Sequence, residues 1–305
     1  MSTNEILKDS IHKQFEANKR INLFYENLDF RTHFLQETKE IIEKHKWDIL
    51  RINEENESEK WVGMMTERAL QTFCNNNQYI DLRKDHVSDL QLIYQVLWND
   101  IVEELKTENI DFELLQKSHL TRLSSWLLQT NGFVKEINDS QSPNTIDVTC
   151  SEYTAEFQIK LLNINIEHII EPVLDIGSGS NALLVNHLRE LGIQAYGMDR
   201  IITNSDEYTF RTNWLDFEFK PYYWGTIISN LSFALHFTNH HNRKDGDYIF
   251  YARKYMEILN SLKKYGTFYY APGLPFIEAH LPKDKFKTLT HRISPEFSYT
   301  QINCL

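Results

Sequence analysis

The sequence predicts an α/β fold: a mostly parallel sheet with helices on both faces, preceded by a helical N-terminal domain. Three observations point there. From about residue 151 onward, short apolar runs of strand type alternate with helical segments, as in successive βαβ units. One run, Val173-Leu174-Asp175-Ile176, passes straight into the glycine-rich turn Gly177-Ser178-Gly179-Ser180 and then into a helix. Before residue 130, apolar residues recur at spacings of three and four, and no proline precedes Pro143, so long helices are permitted.

The N-terminal stripes are Phe34, Leu35, Thr38, Ile41, Ile42 and His45, then Leu90, Ile93, Val96, Leu97, Ile101 and Leu105, then Leu114, Leu115, Leu120, Leu123, Trp126 and Leu127. Each is the buried face of an amphipathic helix. Trp61, Tyr94, Trp98 and Trp126 are expected in that core, with an acceptor pocket or a homodimer surface as the alternative use of these helices. The polar run Asn138-Asp139-Ser140-Gln141-Ser142-Pro143-Asn144 is the expected linker, dividing the chain into 1–145 and 146–305. Ser151 is expected to cap a helix carrying Tyr153, Phe157 and Leu161. Next come a strand over 173–176, a helix over 181–191 and strands over 195–198, near 208–213 and over 224–230. A helix over 247–262, a strand over 267–271 and a terminal strand pair over 287–293 and 297–302 complete the order.

A length of 305 residues suits two domains at roughly 150 residues each. The net charge of −11 repels phosphate backbones and argues against a nucleic-acid partner. Cys74, Cys150 and Cys304 are odd in number and far apart, which gives no disulfide framework and fits a reducing compartment. The polar N-terminus lacks a signal-peptide core, and no run approaches the roughly 18 apolar residues of a membrane span, so a cytoplasmic location is expected.

In open α/β sheets, ligands bind beyond the carboxyl ends of the strands, where the strand order reverses. Asp175, Gly177, Ser178 and Gly179 end the first strand, and Asp199 and Arg200 end the second. Asp216 and Phe217 follow the third, and Ser229, Asn230 and Leu231 end the fourth. Glycine at the turn lets backbone amides approach a ligand, and a carboxylate ending the next strand suits a ribose. The turn alone also admits a nicotinamide dinucleotide, because Ala182 stands where G-x-G-x-x-G tolerates alanine. After the fourth strand come His236, His240 and His241, then Arg243, Lys244 and Asp245. Histidine is the natural base near neutral pH. His236 and His240 share a helix face, but no carboxylate stands beside them at a ligand spacing, so no metal is expected. Arg243 and His241 are candidates to hold an acidic group of a substrate.

Taken together, "VLDIGSGS", "YGMD", "NWLDF", "WGTIISNLSF" and "LKKYGTFYYAPG" resemble, in order, motifs of the class I S-adenosylmethionine-dependent methyltransferases, across about 151–305. The resemblance implies a Rossmann-like, seven-stranded sheet and S-adenosyl-L-methionine as cofactor. It puts Gly177, Ser178 and Gly179 along the cofactor, Asp175 near its methionine end, Asp199 and Arg200 at the ribose, and Asp216 and Phe217 at the adenine. Asn230 and Leu231 would face the transferable methyl, and His236, Asn230 and His240 are the catalytic candidates. Ser180 departs from the family's frequent third glycine. Tyr153, Phe157 and Phe233 are candidates to face the sulfonium. The fourth motif lacks the Asp/Asn-Pro-Pro-aromatic form of amino-methylating DNA enzymes, and no cysteine follows a proline as in the cytosine-C5 enzymes. The expected acceptor is therefore an oxygen or nitrogen of a small molecule or peptide. The alternatives are an NAD(P)-dependent oxidoreductase and a non-catalytic cofactor-binding scaffold.

Overall fold

In the computed structural model, which describes residues 2–25, 34–138, 140–148, 152–202, 205–295 and 297–305, the chain divides into two units, Met1–Cys150 and Ser151–Leu305. In the first, the described residues form seven helices: α1 (Thr3–Asn18), α2 (Gln36–Lys44), α3 (Lys46–Glu54), α4 (Ser58–Asn76), α5 (Lys84–Glu104), α6 (Phe112–Thr130) and α7 (Phe133–Ile137). Ser2 and Glu5 close a capping box at the start of α1, satisfying two backbone amides reciprocally. The stripes meet in one core that includes Trp61, Leu90, Tyr94, Leu97, Trp98, Trp126 and Leu127. Leu114 and Val96 depart from their expected places, at 54% and 36% exposed, because Leu115 and Leu97 beside them take the inward positions and adjacent helical residues point about 100° apart.

The expected linker is instead tied to this first unit. The Asn22 amide donates to Pro143 O (2.9 Å), the Thr145 amide to Arg20 O (2.9 Å) and the Gln78 amide to Val148 O (2.8 Å). Asn138 is buried, and its Oδ1 accepts from the Ile146 amide at 2.9 Å. Polar composition marked a turn here, but side-chain and backbone partners far off in sequence fix it, and the units divide at 150/151. The expected Ser151 cap lies outside the described residues. The helix α8 (Ala155–Leu161) is capped by Thr154, whose hydroxyl accepts from the Phe157 amide.

In the second unit, β1 (Val173–Ile176), α9 (Leu183–Glu190), β2 (Ala195–Asp199), β3 (Thr209–Arg211) and β4 (Trp224–Asn230) come first. Next follow α10 (Phe233–Asn242), α11 (Tyr248–Asn260), β5 (Leu262–Ala271), α12 (Pro275–Glu278), β6 (Phe286–Arg292) and β7 (Ser298–Cys304). The seven strands form one sheet in the order β3-β2-β1-β4-β5-β7-β6. The first five are mutually parallel, while β7 runs antiparallel to both β5 and β6, so the sheet is mixed. Strand periodicity divides the core between two faces. Leu174, Ile176 and Ile227 pack with Phe233, Phe237, Tyr251, Tyr255 and Ile258 of α10 and α11. Val173, Ala195 and Ile228 pack with Ala155, Leu184, Val185 and Leu188 of α8 and α9. Strands covered on both faces need nearly continuous apolar sequence, which β1 and β4 supply. Among the described residues no helix is long and apolar enough to cross a membrane.

The entry into β4 is tight. The Gly225 amide donates to Pro172 O (3.0 Å), and a Cβ at Gly225 would run into the carbonyl of Ile170. Gly225→Ala is expected to lower unfolding stability by about 1–3 kcal/mol through this overpacking. Urea denaturation checks it, and an unchanged midpoint would mean that the Ile170 segment yields without cost.

Candidate ligand site at the reversal of strand order

Chain order reverses between β1 and β4, which are neighbours in the sheet, while β1 leads to β2 on one side and β3 returns to β4 on the other. Beyond their carboxyl ends lies the turn Gly177–Ala182. Its conformation is demanding: φ is +79° at Gly177, +79° at Gly179 and +46° at Ala182. Glycine takes such angles freely, and alanine does so at a strain cost. Gly177 is fixed by crowding as well, because a Cβ there would meet Ser232. Leu231, at the exit of β4, also has a positive φ of 52°. Strained residues therefore stand on both sides of the crevice, a pattern common where a backbone is held for function.

Ser232 links the two strand ends. Its hydroxyl donates to Ile176 O (2.6 Å) and lies 2.7 Å from the Ser229 hydroxyl, which accepts from the Phe233 amide (3.2 Å). Since Ser232 spends its proton on Ile176, Ser229 is the donor between the two hydroxyls.

The amides from Gly177 to Asn181 all have partners. Gly177 and Ser178 donate to Met198 O at 2.8 and 3.1 Å. Gly179 donates to Asp199 Oδ2 at 3.0 Å, and the other oxygen of Asp199 accepts from Ile201 at 3.1 Å. Ser180 and Asn181 donate to Glu152 Oε1 at 2.6 and 3.3 Å. Glu152 also accepts from the Ser180 hydroxyl (2.5 Å) and, through Oε2, from the Asn181 side chain (2.6 Å). Burial opposes the charge of Glu152, but these hydrogen bonds outweigh it and hold its carboxyl below the usual carboxylate range. Sequence reasoning missed Glu152: it lies in an irregular segment, and only folding brings it to the turn.

The buried side chains beside the turn show the opposite condition. Both oxygens of Asp175, the hydroxyl of Ser178, the indole N–H of Trp214 and Oδ1 of Asn230 are buried without a hydrogen-bond partner among the described residues. Leaving one such group unsatisfied costs about 1–3 kcal/mol, more if charged. Burial, with the neighbouring charge of Asp199, pushes the Asp175 carboxyl up to about 8. Burial likewise raises Asp199, against hydrogen bonds from Ile201 and Gly179 and the charge of Arg200. A ligand that brings donors and positive charge would satisfy Asp175 and Asn230, and one with an acceptor would satisfy Trp214. A donor set of this kind fits S-adenosylmethionine, which carries an ammonium, a sulfonium and ribose hydroxyls.

The other expected residues are distributed unevenly. Arg200 follows Asp199 and is half-buried. Asp216 is half-buried in the turn after β3, its amide on Asn213 O at 3.0 Å. Phe217 is half-buried and packs against Phe219 (4.9 Å between ring centroids) at the edge of the core. Phe233 is fully buried in the same core and does not face the crevice; Tyr153 and Phe157 stack on one another at 5.0 Å.

His236 and His240 both point inward from α10. His236 lies edge-on to Trp214 at 4.9 Å, and burial followed by the charges of Arg200, His240 and Arg243 keeps its imidazole well below the ordinary value and so neutral. His240 is a staple rather than an open base: Nδ1 accepts the Asp247 amide (3.0 Å) and the ring stacks on Tyr251 at 4.4 Å. His241 stacks flat on Phe276 at 3.9 Å and lines a different cavity of about 700 Å³ between α10, α11 and α12. Arg243 forks onto Asp245 (3.0 and 3.3 Å) and reaches Asn239 Oδ1 (3.0 Å). Arg243 and His241, the expected holders of an acidic group of a substrate, are thus engaged by Asp245, Asn239 and Phe276. Among the described residues no three His, Cys, Asp or Glu side chains gather as a metal group.

The raised Asp175 value fixes the sign of one pH effect. Between the unfolded value of 3.8 and about 8 the folded chain binds more protons than the unfolded chain, so stability falls as pH rises through that window. Asp175→Asn is expected to flatten this decline, by at most about 1.4 kcal/mol per pH unit. Urea denaturation at pH 5, 6.5 and 8 reads it; parallel slopes in the two proteins would show that Asp175 ionises normally.

No family model matches the sequence, and no curated protein matches it. Solved structures similar to this chain include a putative S-adenosylmethionine-dependent methyltransferase from Listeria monocytogenes, at 12% identity and a TM-score of 0.32, covering 46% of this chain and 96% of that one. A protein from Pyrococcus horikoshii is similar at 13% identity and a TM-score of 0.36, covering 58% of this chain and 97% of its own. A tRNA (m1A58) methyltransferase from Aquifex aeolicus is similar at 14% identity and a TM-score of 0.30, covering 50% and 70%. In its own Rossmann-like sheet, and in where its motifs fall on that sheet, the Ser151–Leu305 unit resembles the class I S-adenosylmethionine-dependent methyltransferases.

Proposed function

We propose that this protein binds S-adenosylmethionine where the strand order reverses, and that it transfers the methyl group to an oxygen or nitrogen of a small molecule or peptide. The observation that carries this reading is the set of buried, unpartnered polar atoms on Asp175, Ser178, Trp214 and Asn230 beside a strained glycine turn. A dinucleotide site is the weaker reading. It is built from two like βαβαβ halves in the order 3-2-1-4-5-6, whereas here the position beyond β5 is taken by the antiparallel β7. The net charge of −11 supports an acceptor other than a nucleic acid.

Bound S-adenosylmethionine supplies a methyl group already activated on a sulfonium. The chain then has to orient and to exclude water. In this reading Asp175 takes the cationic end of the cofactor, its carboxyl giving up its proton as the partner arrives. Asp199 accepts from the ribose hydroxyls while it holds Gly179, and Asn230 presents Oδ1 at the end of β4. Trp214 walls the turn, and neutral His236 buttresses it as a positioning residue.

Calorimetry with S-adenosylhomocysteine and with NAD tests the cofactor. S-adenosylhomocysteine is expected to bind the full chain, and Asp199→Ala to weaken it about 10–100-fold, the loss of roughly one hydrogen bond to a charged acceptor. Asp199→Asn, which keeps an acceptor for the Gly179 amide, should lose less. Binding of NAD without S-adenosylhomocysteine would overturn the reading. Transfer of labelled methyl to hydroxyl and amine acceptors tests the reaction, and a chain that binds the cofactor yet methylates none of them is the scaffold.

A further inference from the structure

A phosphate bound at a strand–turn–helix site takes backbone N–H groups of the turn and of the first helical residues, where the helix dipole also favours negative charge. Here the turn donors from Gly177 to Asn181 are already used. Met198 O takes Gly177 and Ser178, Asp199 takes Gly179, and Glu152 takes Ser180 and Asn181. Glu152 adds a hydroxyl and an amide donor from the same two side chains, so one carboxylate fills the position an anionic ligand would need. A Cβ built at Gly179 would lie 3.1 Å from Glu152 Oε1, so the carboxylate rests directly against the turn. Independently, Oδ1 of Asn230 is a buried acceptor that has no partner among the described residues, and the carboxyl of Asp175, only 1% exposed, is likewise unpartnered there. An incoming phosphate would meet the charged Glu152 carboxylate and find the amides from Gly177 to Asn181 already taken.

We infer that Glu152 sets the charge of the ligand this turn accepts, acting as a built-in anion that admits phosphate-free nucleoside adducts and excludes nucleoside diphosphates. The inference rests on reading the crevice as a nucleoside-cofactor site, and it assigns to a residue outside the glycine motif the choice between two cofactor classes that share the motif. Glu152 is a specificity residue here and takes no part in the chemistry.

The test compares the full chain with Glu152→Ala and Glu152→Gln, using adenosine, ADP and inorganic pyrophosphate in calorimetry, with thermal unfolding as the fold control. The unaltered chain should bind ADP at least tenfold more weakly than adenosine. Glu152→Ala should gain at least tenfold for ADP while adenosine changes less than threefold. Glu152→Gln, which keeps an oxygen on the amides but loses the charge, should gain less, and it carries the test if the alanine variant does not fold. An unchanged ADP-to-adenosine ratio in the variants, or equal binding of the two by the unaltered chain, would overturn the inference and leave the cofactor reading standing. If no protein binds adenosine or S-adenosylhomocysteine but the variants acquire pyrophosphate binding, the cofactor reading fails and the role of Glu152 survives. If no protein binds either nucleoside and the variants acquire no pyrophosphate binding, both fail.

Discussion

The parallel pairing of β1 with β4 is the constraint on which the site depends. Val173, Leu174 and Asp175 lie opposite Thr226, Ile227 and Ile228, and the chain leaves the two strands toward different neighbours. Diverging connections leave a crevice at the carboxyl ends, which is a consequence of topology rather than of any one side chain. The hydroxyl chain from the Phe233 amide through Ser229 and Ser232 to Ile176 O then locks the two exits together. Because Ser232 sits over the first turn residue, that residue has to be glycine. Packing and motif are one requirement here.

Electrostatics at the crevice follow from burial. Asp175 has no partner and a raised value, while Asp199 is buried but accepts two backbone amides. Two carboxylates in one low-dielectric site push one another toward the neutral form, and a positive ligand reverses that shift. Glu152, more open, keeps its charge through hydrogen bonds to the turn. The result is a backbone turn of the kind that often holds phosphate, surrounded by groups suited to the opposite charge.

The histidines after β4 show how helical spacing misleads. His236 and His240 are four residues apart on one face of α10, and that face is the buried one. A polar residue on an inward face has two uses: chemistry in a cavity, or a hydrogen bond that fastens a neighbouring segment. For His240 the bond to the Asp247 amide decides the second. Arg243 likewise spends its fork on Asp245 and Asn239, next to it in sequence. These are local contacts that a sequence permits but does not announce.

Local pattern determined the sheet's strands, the glycine turn and the carboxylate ending β2, because strand periodicity and the need for positive φ act over a few residues. The helical stripes of the first unit are of the same kind, and Leu114 failed only because it competes with Leu115 for one face. What lay beyond the sequence are the contacts between distant segments. Pro143 and Val148 bind back to Asn22 and Gln78, so a polar run that looked like a linker belongs to the first unit. The antiparallel insertion of β7 between β5 and β6 depends on which edge the last strand joins. Glu152 reaches the turn from a segment with no motif of its own. The sequence by itself therefore determined that a strained glycine turn ends β1, since that requires only glycine at two positive-φ positions. The tertiary structure alone decided which charges face it, since that depends on side chains brought together from separate parts of the chain.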